Sequence, residues 1–590
     1  MSEFKKSALS TKYGKAEIAA LIIYIIGTVV IACFHELWFD EAQAWDIART
    51  ASYHKILFEV PHYEGHPQLW HLLLSVFAKN GAPFKLTIQA VNITISTAAM
   101  AVLLFKSPFP KIIRCLLPFT YYFFYQYGVY SRPYCITMLA FFLASAFYKE
   151  RNEHPWRYIL SLTLLCMSTA YGIIISGMLC VVWSIEILTE TVKEKKFSAL
   201  LKDKRIYALC FILIVALFII ISLLPHEDTF FGGKIDEKTL KEKTILDNIL
   251  EPSNYLLFLV FPYESWCGDT LHSSISPSFF TMLWIACVGL LTWALIIAFA
   301  KKNKRFFTLI LPLTAVDAFM SFKYWSRHHL GIVTMLLLFY LWITLDCEHK
   351  IEVPSFISKI AKSFSSPPLK KIVTVGVITI MSMPLYYNIV ASFNDLREKV
   401  GYSEFADIIK KNHLENALIM SEWQYMPEYD EDGDDAGDLF AELLSKMEIP
   451  SNHKKIRQHY TYLCCHAATC APYFDKNIFM NFNVDCPDET YMHYQYKENV
   501  DKVFAEWRAK GLPEFIVGYC PIDEIYDEET LKDVRYLPIA EITSSAIFKD
   551  KCDKDNDFLY LREDLFDEYP QFYWIHDPKR NLATKVNNDD

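Results

Sequence analysis

Residues 35–70 read HELWFDEAQAWDIARTASYHKILFEVPHYEGHPQLW. The stretch follows a long apolar segment, Ala16 to Cys33, and gathers an adjacent carboxylate pair (Asp40, Glu41), a later Glu64, the histidines His35, His54, His62 and His66, and the tryptophans Trp38, Trp45 and Trp70. A loop joining two apolar segments needs none of this chemistry. Carboxylates held beside hydrocarbon are partly desolvated, which raises their proton affinity towards that of a general base. Carboxylates also favour the first turn of a helix through its dipole, so helix-start chemistry explains the pair equally well at this level. Trp38, Ala42, Trp45 and Ala48 give the helix one apolar side, expected to lie on the membrane surface.

The remainder of the chain supplies the setting. Of 590 residues, 53% are hydrophobic and 15% aromatic, and the apolar residues come in long runs, which places the chain among membrane proteins. Asp and Glu total 68 against 58 Lys and Arg. From Ala391 onward there are 41 acidic and 22 basic residues, leaving an excess of nine positive charges before it. A basic membrane portion fits the positive-inside rule, and an acidic tail argues against a nucleic-acid partner. Apolar runs predict eleven spans: 16–34, 84–105, 111–127, 133–149, 157–172, 173–189, 206–224, 278–300, 305–321, 330–346 and 371–390. The first, with no small-residue cleavage site after it, reads as an uncleaved signal-anchor. With the N-terminus cytoplasmic, every even-numbered joint carries a basic cluster. His66 to Lys79 is too short to cross comfortably and would invert that pattern, so it is expected to lie in the outer interface, as is Asn254 to Phe261.

An odd span count places residues 391–590 outside. Helical patterns (Tyr402 to Lys411, Asn499 to Lys510) mixed with strand-like runs (Ala417 to Ser421, Glu514 to Tyr519, Asp557 to Leu561) predict an extracytoplasmic α/β domain following a transmembrane domain of residues 1–390. Its cysteines, Cys464, Cys465, Cys470, Cys486, Cys520 and Cys552, could be disulfide-bonded or reduced, and the first three lack regular zinc-ligand spacing. The acidic run Pro427 to Asp438 lacks the glycine and twelfth-position carboxylate of an EF-hand and reads as a solvated loop.

His62 and His66, flanking Glu64, could form one edge of a divalent-metal site or hydrogen-bond a sugar, although Gly65 and Pro67 predict a turn between them. Two outer joints, YSRPY (130–134) and KYWSRHH (323–329), carry Arg132, Lys323, Arg327, His328 and His329. Cations there run against the positive-inside bias and call for an anionic partner, either a carboxylate such as Asp40 or a phosphate.

WFDEAQAW followed by EGHPQLWHLLL resembles the first outer loop of GT-C-fold glycosyltransferases, the superfamily of protein O-mannosyltransferases and bacterial aminoarabinose transferases. YSRPY is similar to their Arg-Pro-Tyr segment; Gln68 stands where they carry a second proline. The likeness covers the first 150 residues well and KYWSRHH loosely. It implies a multi-pass protein of a cell membrane, here expected to be bacterial, and a sugar donor on a polyprenyl phosphate. Transfer would be to a lipid, glycan or protein acceptor at the outer face, with inversion. Asp40 would be the base and Glu41 its orienting neighbour. Arg132, Arg327 and His328, with Lys323 and His329 beside them, would hold the phosphate. Trp45, His62, Glu64, His66 and Tyr134 are expected to line the substrate site. No cofactor is required by this reading, and a divalent cation is compatible with it. Two other classes are a polyprenyl-linked lipid or oligosaccharide transporter, which would need charges at span centres, where Asp317 is the clearest, and a surface polysaccharide polymerase or ligase, whose essential residues lie in a late loop.

Overall fold

The computed structural model describes residues 14–194, 202–226, 228–229, 279–322, 327–348, 350–355, 359, 367–397, 401–427, 460–495, 500–545 and 554–575. Up to residue 397 the described chain is helical: α1 (Lys15–Phe34), α2 (Phe39–Thr50), α3 (Tyr53–Phe58), α4 (Val60–Glu64), α5 (Leu69–Ala78), α6 (Phe84–Lys106), α7 (Lys111–Leu116), α8 (Tyr134–Phe147), α9 (Pro155–Cys166), α10 (Ala170–Glu194), α11 (Lys204–Leu223), α12 (Phe279–Lys302), α13 (Phe306–Phe322), α14 (Leu330–Glu348) and α15 (Pro367–Arg397). Of these, α1, α6, α10, α11 and α14 are long and apolar enough to cross a membrane. Ile18, Ile22, Ile26, Val29 and Val30 on α1, and Leu213, Ile214, Leu217 and Ile221 on α11, face away from the protein. Rows of large apolar side chains with no protein cover suit a lipid solvent. The inward side of α1 is tied down by polar contacts. Tyr24 donates to the Phe123 carbonyl at 2.9 Å, and fully buried Glu17 pairs with fully buried Arg114.

Among the described residues, five such helices stand against the eleven expected spans. The expected span 111–127 is instead the short α7, a 3-10 turn Leu117–Phe119 and a π-helical turn Tyr122–Gln126. Residues 121–138 are buried without interruption. Their apolarity serves a protein core, and Pro118 breaks the helix. The boundary expected at 172–173 lies at residues 167–169, between α9 and α10. Thr169 Oγ1 accepts the Gly172 amide at 3.0 Å, so Thr169 caps a helix that Gly172 continues. The expected span 133–149 is the 14-residue α8. The short α5 matches the expected segment 66–79, whereas Asn254 to Phe261 lies outside the described residues.

After α15 the chain forms the expected α/β unit. Helix α16 (Tyr402–Lys411) buries Phe405, Ala406 and Ile409 on one face. It packs on a four-stranded sheet of order β1-β4-β6-β5, from β1 (Ile419–Ser421), β4 (Phe515–Val517), β5 (Tyr536–Ser545) and β6 (Lys554–Arg562). The β1–β4 pair is parallel and the others antiparallel. The strands β2 (Gln424–Pro427) and β3 (Tyr460–Leu463) form a separate antiparallel pair. Among the described residues, Cys464, Cys465, Cys470, Cys486 and Cys520 form no disulfide; Cys552 lies outside them.

The α/β unit sits on α2. Arg49 donates to the carbonyls of Phe474 (2.9 Å) and Ala471 (3.1 Å) and to Thr490 Oγ1 (3.0 Å). Gln43 donates to the Met492 carbonyl at 2.9 Å and accepts its amide at 2.8 Å. Consequently residues Glu41 to Ala48 are all buried. The helix expected to float on the membrane surface is covered by protein, because its polar residues meet partners that lie hundreds of positions later.

Candidate functional site

Helix α2 begins at Phe39, after Trp38 in extended backbone. Glu41 folds back so that Oε2 accepts the Trp38 amide at 2.8 Å, as a third-position glutamate does at a helix start. Its other oxygen accepts the Ser131 amide at 2.6 Å, and His35 Nε2 lies 3.2 Å from Oε2. The opposite ring nitrogen of His35 meets Asp395 at 2.9 Å. Burial works against a charged imidazole here, but Asp395 and Glu41 outweigh it and lift His35 to about 9. Glu41 is therefore a fully buried staple joining the loop to the 130–134 turn and, through His35, to the end of α15.

Asp40, one residue away, points elsewhere. Its Oδ2 lies 2.6 Å from Arg132 Nη1, and the guanidinium lies over the Trp38 ring, 5.8 Å from its centre. Burial raises the Asp40 carboxyl, with Arg132 opposing and Glu41 adding repulsion. Glu64 completes the group. Its Oε1 accepts from Gln43 at 2.8 Å, and burial, partly offset by Gln43 and reinforced by Asp40, pushes it up to about 7. Arg132 is 9% exposed, and its Nε has no hydrogen-bond partner among the described residues.

Neutral imidazoles surround this cation. Burial, then Arg132 and His71, hold His66 at about 3, and burial with Arg132 does the same to His71. His329, held far below its ordinary value by burial, His328, His66 and Arg132, has Nδ1 3.2 Å from the Tyr171 hydroxyl. Tyr134 presents its ring to His328 and His329 at 5.6 and 6.0 Å. Gly331 lets this corner close: a Cβ there would stand 2.3 Å from the Tyr127 hydroxyl, which donates to the His328 carbonyl. From the α/β unit, Tyr494 lies near enough to Glu64 and Asp40 to feel their charge. Burial, then Glu64 and Asp40, push its hydroxyl far up, and Cys465 likewise feels Asp40.

Comparison with family models, with curated proteins and with solved structures finds no match to this chain. The site is thus interpreted from its own geometry. Asp40, Glu64, His66, Arg132, Tyr134, His328 and His329 converge as one neighbourhood at the mouth of α14 and α8. Trp45 does not join them; it is buried against Phe84, ring centres 5.6 Å apart. His62 turns away to the Leu224 carbonyl and the His226 ring, 4.0 Å between centres. Gly65, at φ +65°, ends α4 between His62 and His66, so the two histidines do not share a helix face. Lys323 and the side chain of Arg327 lie outside the described residues. His35 is named from the sequence without a role, and Gln43, His71, Ser131, Asp395 and Tyr494 are not singled out. For Gln43 a signal existed, a polar side chain between Ala42 and Ala44 in an otherwise apolar turn.

Proposed function

We propose that the chain is an inverting membrane glycosyltransferase that moves a sugar from a polyprenyl-phosphate donor to a hydroxyl acceptor, of the GT-C kind that its first loop resembles. The observation that carries this reading is the Asp40–Arg132 pair, a carboxylate of raised proton affinity held against a buried guanidinium that keeps one donor unpaired. An arriving phosphate would compete for the guanidinium fork. Arg132 would then exchange Asp40 for the donor, leaving the carboxylate beside the anomeric carbon to receive a proton.

In this mechanism the acceptor oxygen attacks the anomeric carbon as the bond to the phosphate oxygen breaks. Its proton passes to Asp40, and polyprenyl phosphate departs with the electron pair, its charge held by Arg132. Neutral His66 and His329 offer hydrogen bonds to sugar hydroxyls without adding charge. Glu64, near 7, serves as a second proton-holding group. The outer face of a cell membrane is the expected side. Transfer of label from a polyprenyl-phosphate sugar by the purified protein tests the reading. No transfer with mono- or diphosphate donors, together with no polyprenyl phosphate in the copurified lipid, would overturn it.

A further inference from the structure

Away from Asp40 and Arg132, the segment from Cys486 to His493 is folded into a tight turn by Asn483, whose backbone is left-handed at φ 42°. Its side-chain amide donates to the carbonyls of Glu489 and of Tyr491, the latter at 2.8 Å. The turn brings three unlike donors together: Cys486 Sγ lies 3.8 Å from His493 Nε2, and His493 Nε2 lies 3.3 Å from Glu489 Oε2. All three atoms fall within 4.8 Å of one another. Metal–sulfur bonds of about 2.3 Å and metal–nitrogen or –oxygen bonds of about 2.0–2.1 Å make the edges of a zinc tetrahedron about 3.6 Å (S to N) and about 3.3 Å (N to O). The observed spacings are close to those edges.

We propose that Cys486, Glu489 and His493 form a three-ligand site for a zinc-class divalent metal, with a fourth position open to water. The donor set selects the metal class: thiolate and imidazole with one carboxylate suit zinc, whereas magnesium and calcium take oxygen donors. The carboxylate is already oriented. Lys55 Nζ holds Glu489 Oε1 at 2.6 Å, leaving Oε2 for the metal, and the Tyr491 hydroxyl donates to Oε2 at 3.0 Å. Such outer partners are a regular feature of metal sites. Coordination takes Cys486 as thiolate and His493 as neutral imidazole, so protons are released on binding and affinity falls in acid. The site is independent of the transfer chemistry, yet it abuts it: Met492, one residue before His493, grips Gln43 with both backbone groups. A bound metal would rigidify the segment that holds the α/β unit on α2.

The test is a cobalt titration of the full chain, purified in detergent and stripped of metal. The site should take up one equivalent with a tetrahedral visible spectrum and a near-ultraviolet thiolate-to-cobalt band, both removed by excess zinc. Cys486→Ser should lose the thiolate band, and His493→Gln should weaken binding at least about tenfold. Should Cys486→Ser fail to fold, Glu489→Gln in the same titration takes its place, with the same weakening expected. A thiolate band of wild-type strength in Cys486→Ser, wild-type affinity in His493→Gln or Glu489→Gln, or no cobalt spectrum in the wild type, would overturn the proposal.

Discussion

Replacing Arg132 by glutamine separates the two roles given to the guanidinium. The Nη1 to Oδ2 distance is 2.6 Å; with charge centres about 4 Å apart and an effective dielectric of about 20, the interaction is about 4 kcal/mol. The Asp40 side chain is 25% exposed, and solvent screening reduces that figure. Burial already raises Asp40 and Arg132 opposes it, so removing Arg132 adds to the rise. A base works only when deprotonated. The acid limb of the transfer rate should therefore move to higher pH. Loss of the phosphate contact costs about 100- to 1000-fold in rate. Arg132→Lys should restore the acid limb but not the donor KM, because an ammonium keeps the charge without the fork. The assay is initial transfer rate from pH 5 to 9 at two donor concentrations. A wild-type donor KM and an unmoved acid limb in Arg132→Gln would refute the reasoning.

Three other outcomes follow from the same geometry. Glu64 is raised to about 7, so its contribution to stability is complete below its unfolded value of about 4.3 and is lost as pH rises through about 7; Glu64→Gln should flatten the fall in unfolding midpoint between pH 5 and 8, followed by thermal scans in detergent. Gln43→Leu leaves both Met492 backbone groups unpaired and should cost about 2–4 kcal/mol of docking, seen as faster amide exchange across residues 490–494 with the transmembrane helices unchanged. Gly331→Ala forces a methyl to within 2.3 Å of the Tyr127 hydroxyl, which should destabilise by about 1–3 kcal/mol and lower the unfolding midpoint even in protein with an intact Asp40–Arg132 pair.

Adjacency in the sequence concealed a division of labour between Asp40 and Glu41. Both open the same helix, but a step of about 100° per residue turns Glu41 inward to His35, Trp38 and Ser131, leaving Asp40 to Arg132. Local pattern could place α2, α5, α16 and the sheet strands β1, β4 and β6, since each rests on short-range periodicity. It could not place the His35–Asp395 contact, which joins residues 360 positions apart, nor the Met492 backbone on Gln43. Hydropathy also misled at 111–127. Aromatic side chains from Tyr121 to Tyr130 are as apolar as a lipid-facing span, and only their burial among other helices distinguishes core from membrane. The cationic joint at 130–134 was legible because a charge at that edge needs an anion, and Asp40 supplies it.

The most direct measurement compares wild type with Asp40→Asn in transfer of a labelled sugar from polyprenyl phosphate, with donor binding measured in parallel. The substitution keeps the shape of the side chain and removes its basicity. Transfer is expected to fall by about 100-fold or more while the donor still binds, because Arg132 is released for the phosphate. Transfer at the wild-type rate in Asp40→Asn would contradict the account.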